Sequence, residues 1–163
     1  MKDPIGYFMM WGTYGTWLPG DERGWVDYRH GWQLLNSVLE IEAQSRMTET
    51  ACFLSVTQRT LVEEQIRETC DFREWKMFAV NCRSNHIHVV VSALHVDPKK
   101  IRNDLKAWST RKLKEASLDK RDKWWNERGC TRYIYDEDNL AIAIEYTMKA
   151  QDRKGREQKE FRC

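Results

Sequence analysis

Asn81-Cys-Arg-Ser-Asn-His-Ile-His-Val-Val-Val-Ser-Ala93 is the stretch on which the fold turns. From His86 to Ser92 it alternates as a half-buried strand does, so successive side chains point to opposite faces. His86, His88 and Val90 then share one face, and Ile87, Val89 and Val91 the other. Two imidazoles two residues apart on a strand lie about 6–7 Å apart along its axis and converge on one point. That arrangement can grip a divalent ion while leaving its other positions open. The same spacing also describes two polar residues on a solvated sheet face, so the flanking sequence decides between the two.

Working outward, Trp75-Lys-Met-Phe-Ala-Val-Asn-Cys82 reads as a strand, and Arg83-Ser-Asn85 as a short turn, which makes an antiparallel hairpin with the histidine strand. Asp97-Pro98 opens a helix with proline in its first turn, running to about residue 115. Its candidate core residues are Ile101, Leu105, Trp108 and Leu113, and Lys99, Lys100, Arg102, Lys106, Arg111, Lys112 and Lys114 decorate the remainder. Residues 123–135 turn into a further strand ending at Tyr135. Asp136-Glu-Asp-Asn139 is an acidic helix start suited to the macrodipole, and the last helix runs from Leu140 to about Gln151. Upstream, residues 7–14 form an aromatic first strand. Residues 57–70 form an amphipathic helix with Thr57 as N-cap, a stripe of Leu61, Val62, Ile66 and Cys70, and Glu63 facing Arg67 on the wet side.

The order is β-α-β-β-α-β with one more helix. This predicts an α+β class: a ferredoxin-like antiparallel sheet with two helices on one face and an additional C-terminal helix carrying Tyr146. The Ile87 face would meet the two helices, leaving the histidine face to the terminal helix or a substrate. The 163 residues suit a single domain, 1–163, with a loop insertion at about 15–57 and a polar tail at about 152–163 that is expected to fray. In that insertion Trp17, Trp25, Arg23 and Arg29 suit stacking on bases and pairing with phosphates. Anchoring of the loop is the simpler role for Trp17, and Trp25 stays open.

Hydrophobic residues are 41% and charged residues 32%, the composition of a soluble protein with a highly charged surface. No apolar run reaches the roughly 18 residues that a membrane-spanning helix needs, and the N-terminal residues lack a signal segment. The expected location is therefore cytoplasmic. Cys52, Cys70, Cys82, Cys130 and Cys163 are odd in number and scattered, which fits a reducing compartment better than a disulfide framework. Net charge is only +2, but residues 1–80 carry 8 basic and 12 acidic side chains while residues 99–132 carry 12 basic and 5 acidic. That concentration describes either a polyanion-binding surface or a well-solvated helix.

Two histidines able to hold a metal, a basic segment and a helical tyrosine point to phosphodiester chemistry. A phenol with pKa near 10 is a poor nucleophile at neutral pH without assistance. A divalent ion polarising the phosphate would supply that assistance. Asn85-His-Ile-His-Val-Val-Val91 resembles the HUH (His-hydrophobe-His) motif, and Trp11-Gly-Thr-Tyr-Gly-Thr-Trp17 resembles that family's opening strand. With the late single tyrosine, the chain from about residue 7 to 151 is similar to the single-tyrosine HUH transposases of insertion sequences, including the REP-associated tyrosine transposases.

The resemblance implies a metal-dependent nuclease and strand transferase that acts on single-stranded or hairpin DNA. His86 and His88 would hold Mg2+ or Mn2+, and Tyr146 would attack the phosphate, take the DNA 5′ end and leave a free 3′ hydroxyl. The same likeness expects a third ligand, Gln or Asn, one turn after the tyrosine. Ala150 stands there, and the nearest candidate, Gln151, lies about 140° around the helix from Tyr146. Nucleic acid contacts are expected from Arg23, Arg29, Lys99, Lys100, Arg102, Lys106, Arg111 and Lys112, in a monomer or a homodimer. The competing readings are a non-catalytic hairpin-binding module and a metal-dependent phosphohydrolase in which Tyr146 is structural.

Overall fold

The alternation around His86 and His88 is resolved as the second-from-edge strand of a four-stranded antiparallel sheet. The computed structural model describes residues 2–117 and 120–149. In chain order the elements are β1 (Gly6–Gly12), β2 (Trp25–Asp27), β3 (Gly31–Gln33), α1 (Ser37–Ser45), α2 (Val56–Arg73), β4 (Lys76–Cys82), β5 (His86–Ser92), α3 (Pro98–Ala116), β6 (Cys130–Ile134) and α4 (Glu137–Lys149). The main sheet has the order β4-β5-β1-β6, antiparallel throughout, while β2 and β3 form a separate hairpin. This is the expected ferredoxin-like βαββαβ arrangement with α4 added. Among the described residues, no helix is long and apolar enough to cross a membrane.

Strand periodicity sorts the core into two layers. Ile87, Val89 and Val91 join Met9, Trp11, Val62, Ile66, Ile101, Leu105 and Leu113 under α2 and α3. Val90 joins Phe8, Ala79, Ile134, Leu140, Ala143 and Tyr146 under α4. Each such aliphatic side chain contributes about 1.5–3 kcal/mol by leaving water, so α4 is held by its apolar stripe rather than left to solvent. Asp136 starts α4 by accepting from the Asn139 N–H at 2.8 Å. Cys52, Cys70 and Cys82 are buried as thiols, and burial pushes the Cys70 thiol up to about 12.

Helix α2 starts two residues earlier than its sequence suggests. Ser55, not Thr57, is the N-cap: its Oγ accepts from Gln58 N at 3.1 Å while Gln58 Oε1 accepts from Ser55 N at 2.8 Å. This reciprocal capping box satisfies two donors that Thr57 could not reach. Ser55→Ala should cost about 1 kcal/mol and lower Tm by roughly 2–4 °C, measured by thermal denaturation. An unchanged Tm would mean the box contributes nothing. Glu63 also differs from expectation, because its Oε1 accepts from Cys82 N at 2.9 Å and ties α2 to β4 instead of pairing with Arg67.

On α3, Asp97 and Pro98 make the expected start. Trp108 stays partly exposed with the Arg111 guanidinium over its ring, and Ser109 takes the buried position. Residues 15–57 are organised by internal bonds. Trp17 Nε1 donates to Gly24 O at 2.7 Å, which makes Trp17 an anchor, and Trp25 Nε1 likewise donates to Leu34 O at 3.0 Å. Gly24 has φ +89°, and a Cβ there would fall 2.2 Å from the Trp32 ring.

Candidate active site

Strand β5 carries His86 and His88 on the face that α4 covers, and their ring centroids lie 4.9 Å apart. Tyr146 comes down from α4 to within 5.5 Å of His88, centroid to centroid. Phe8 of β1 completes the group, 5.4 Å from His88 and 5.9 Å from Tyr146. Asn81, opposite His88 in the β4–β5 register, fastens the helix by donating from Nδ2 to Thr147 O at 3.0 Å. The histidine face is therefore not open at His88, because the terminal helix buries it. The apolar stripe of α4 needs a partner, and Phe8 and Val90 supply it.

The two imidazoles differ. His86 is half-buried, and its Nδ1 lies 2.7 Å from Asn85 Oδ1. An N–H donated there leaves the lone pair on Nε2, the usual orienting contact of a metal-binding histidine. His88 is 2% exposed, and neither ring nitrogen has a hydrogen-bond partner among the described residues. Leaving buried polar atoms unmet costs about 1–3 kcal/mol. Bound to a cation, one of these nitrogens would have a partner. Burial chiefly, and then the neighbouring His86 and Arg83, lowers the His88 pKa to about 3.

This depressed value has a consequence for stability. In the folded protein His88 stays neutral down to about 3, whereas unfolded it protonates near 6.5. The stabilisation is complete above pH 6.5 and is lost as pH falls through the window to about 3. Chelator-treated wild type should lose more unfolding free energy between pH 7 and 4 than His88→Leu does, measured by urea denaturation. Parallel losses in the two proteins would exclude His88 as the source.

The donor set fits a divalent ion in two ligands. Among the described residues no third His, Cys, Asp or Glu joins them. Gln151, the expected third ligand, and the tail at 152–163 lie outside the described residues. Tyr133 and Tyr135, the other tyrosines of this region, do not compete for the site. Tyr133 pairs with Tyr7, ring centroids 5.3 Å apart, and Tyr7 belongs to the core layer on the opposite face.

The residues expected to touch nucleic acid are scattered by the fold. Arg23 is an internal brace: it binds the Asp21 carboxylate through Nε and Nη2, donates to Thr16 O at 2.8 Å and lies over Trp17. Arg29 is exposed in the β2–β3 turn. On α3, which lies across the sheet from Tyr146, Lys99 and Lys100 are exposed, and Lys100 is 3.6 Å from Asp104. Arg102 reaches Thr131 Oγ1 at 3.1 Å, Arg111 approaches Glu115, and Lys112 is half-buried. Lys106 is 9% exposed, and its ammonium donates to Asn126 O at 2.8 Å and Arg128 O at 3.1 Å. It bonds loop carbonyls rather than facing solvent, and burial lowers its pKa to about 8.

Sequence reasoning missed Phe8, Asn81 and Arg132. Arg132 stands opposite Phe8 in the β1–β6 register, which puts a cation on the histidine face. Only strand register identifies them, since none sits in a motif.

The profile of a family described as "Transposase IS200 like" matches residues 48–143, a span that includes both histidines and stops short of Tyr146. No curated protein matches the chain significantly. Among solved structures, the chain is similar to a REP-associated tyrosine transposase bound to a REP hairpin, with 12% identity and a TM-score of 0.54. The match covers 90% of this chain, which spans 66% of that relative's length. A candidate transposase from Deinococcus radiodurans R1 aligns with 15% identity and a TM-score of 0.48, covering 88% of each chain.

Proposed function

Since the chain belongs to the family of IS200-like transposases, we propose that it is a metal-dependent nuclease and strand transferase of single-stranded hairpin DNA, acting in the cytoplasm through a 5′-phosphotyrosine on Tyr146. The observation that carries this reading is the placement of the Tyr146 ring 5.5 Å from His88, with His86 beside it. A phenol and two imidazoles from separate elements meet at one place, in a chain whose family moves DNA. The REP hairpin held by the related transposase supports folded DNA as the substrate class.

His86 and His88 would hold Mg2+ or Mn2+. Such an ion, when bound, supplies polarisation of the phosphate and neutralises charge developing on it. Tyr146 Oη attacks the phosphorus, giving up its proton to solvent. The bond from phosphorus to the 3′ oxygen breaks, and that oxygen leaves as a free hydroxyl after taking a proton. The product is a phosphodiester that joins Tyr146 Oη to the 5′ end of the downstream strand. A second 3′ hydroxyl can attack this linkage and restore both a DNA phosphodiester and the phenol, with no outside energy source.

A second reading is a hairpin-binding module that does not cut, and the burial of Tyr146, 7% exposed, favours it. The two separate on a denaturing gel of labelled single-stranded hairpin DNA incubated with protein and Mn2+. The enzyme reading expects a slow-migrating covalent adduct that a chelator prevents. Tight binding with no adduct at any Mn2+ concentration would leave only the second reading.

A further inference from the structure

We propose that the carboxamide of Asn126 is a further substrate contact of the histidine site, donating to a non-bridging phosphate oxygen, and that Lys106 is the positioning residue that holds it there. This rests on the reading above that the site acts on phosphodiesters. The segment before β6 prolongs the sheet past the end of β1. Tyr14 N donates to Trp124 O at 2.9 Å, Asn126 N donates to Gly12 O at 3.0 Å, and Thr13 bridges Trp125. Trp124 and Trp125 both pack with the core under the helices, the Trp125 ring 6.3 Å from Trp11 and its Nε1 2.8 Å from Thr110 Oγ1, and the Asn126 side chain instead meets Gly12.

Gly12 shows how closely the amide sits. A Cβ on Gly12 would lie 2.8 Å from Asn126 Nδ2, so the carboxamide occupies the notch that the missing side chain leaves. Gly12 is directly opposite His86 in the β1–β5 register. Cβ positions of such a pair are about 4.5–5.5 Å apart, so the amide in the Gly12 notch lies across β1 from His86. From the other side of the sheet, the buried Lys106 ammonium grips the carbonyls of Asn126 and Arg128. A buried ammonium persists only with such bonds, so the bonds that keep Lys106 inside also fix the loop. The result is a neutral donor held at Gly12, across β1 from His86, the kind of group that stabilises charge developing on a phosphate.

The test measures cleavage of hairpin DNA at saturating Mn2+, with Mn2+ affinity, hairpin affinity and Tm followed in parallel. Asn126→Ala should lower kcat about 10- to 100-fold, the worth of a hydrogen bond to a charged group, and leave Mn2+ affinity and Tm unchanged. Gly12→Ala should cause a similar loss by displacing the amide, and Lys106→Met by releasing the loop. Neither should cost anything further in the Asn126→Ala background, because interacting sites are not additive. Wild-type activity in Asn126→Ala would overturn the inference alone, as would losses that add. Weakened Mn2+ binding would make Asn126 a metal ligand instead and overturn the phosphate role. A wild type that forms no adduct would overturn the enzyme reading, and this inference with it.

Discussion

Tyr146→Phe is expected to bind hairpin DNA and Mn2+ as the wild type does and to form no covalent DNA adduct. The substitution removes one oxygen and leaves the ring, so the ring's contacts with Phe8 and His88 survive. Its place in the core layer of Leu140 and Ala143 survives as well. The predicted loss is complete, because among the described residues no other phenol has its ring against the histidines. Tyr133 has its ring against Tyr7 on the opposite face, and Tyr135 lies beside Tyr133. Tyr133→Phe and Tyr135→Phe should therefore retain the adduct. Adduct formation by Tyr146→Phe on a denaturing gel would assign the nucleophile elsewhere.

The second large effect concerns the histidines, which should separate when each is truncated. His86→Ala and His88→Ala should both abolish cleavage, since two ligands cannot be reduced to one without losing the ion. Their stabilities should diverge. His86 is half-buried and contacts Asn85 at the strand's start, so its removal should leave Tm nearly unchanged. His88 is 2% exposed and wedged between Phe8 and Tyr146, so its truncation opens a cavity. Cavities of that kind cost about 2–5 kcal/mol for large side chains. Relief of two unmet ring nitrogens offsets part of it. The expected net loss is about 1–3 kcal/mol by urea denaturation. Equal stability of the two variants would mean that α4 does not bury His88 as described. Cleavage by the double variant would remove the metal from the mechanism.

Much of this molecule was legible in the chain because its signals are local. Alternation at His86–Ser92 specifies two faces with no knowledge of what covers them, since a strand's side chains alternate whatever its partners. Asp97-Pro98 marks the start of α3 through the backbone of its own first turn. These elements in order restrict the topology to the βαββαβ sheet, and the motif Asn85-His-Ile-His led to the site. Even the missed cap was local: Ser55 and Gln58 carry the capping-box spacing, and Thr57 only looked equivalent as a residue type.

What only the tertiary structure decided depends on register and on which surface meets which. The sequence left the histidine face open to either a helix or a substrate, and the apolar stripe of α4 chose the helix. Burial of His88 and the depressed pKa that follows are products of that choice. Charge counting over residues 99–132 placed Lys106 among the exposed cations expected to meet nucleic acid. The loop that crosses behind α3 instead supplies two carbonyls to its ammonium, which a composition cannot reveal. Gly12 is distant in the chain from both Asn126 and His86, and it has one on each side because β1 pairs with β5 in one register and residues 124–126 extend that sheet. Periodicity tells a residue which face it takes, and pairing across strands tells it who its neighbours are.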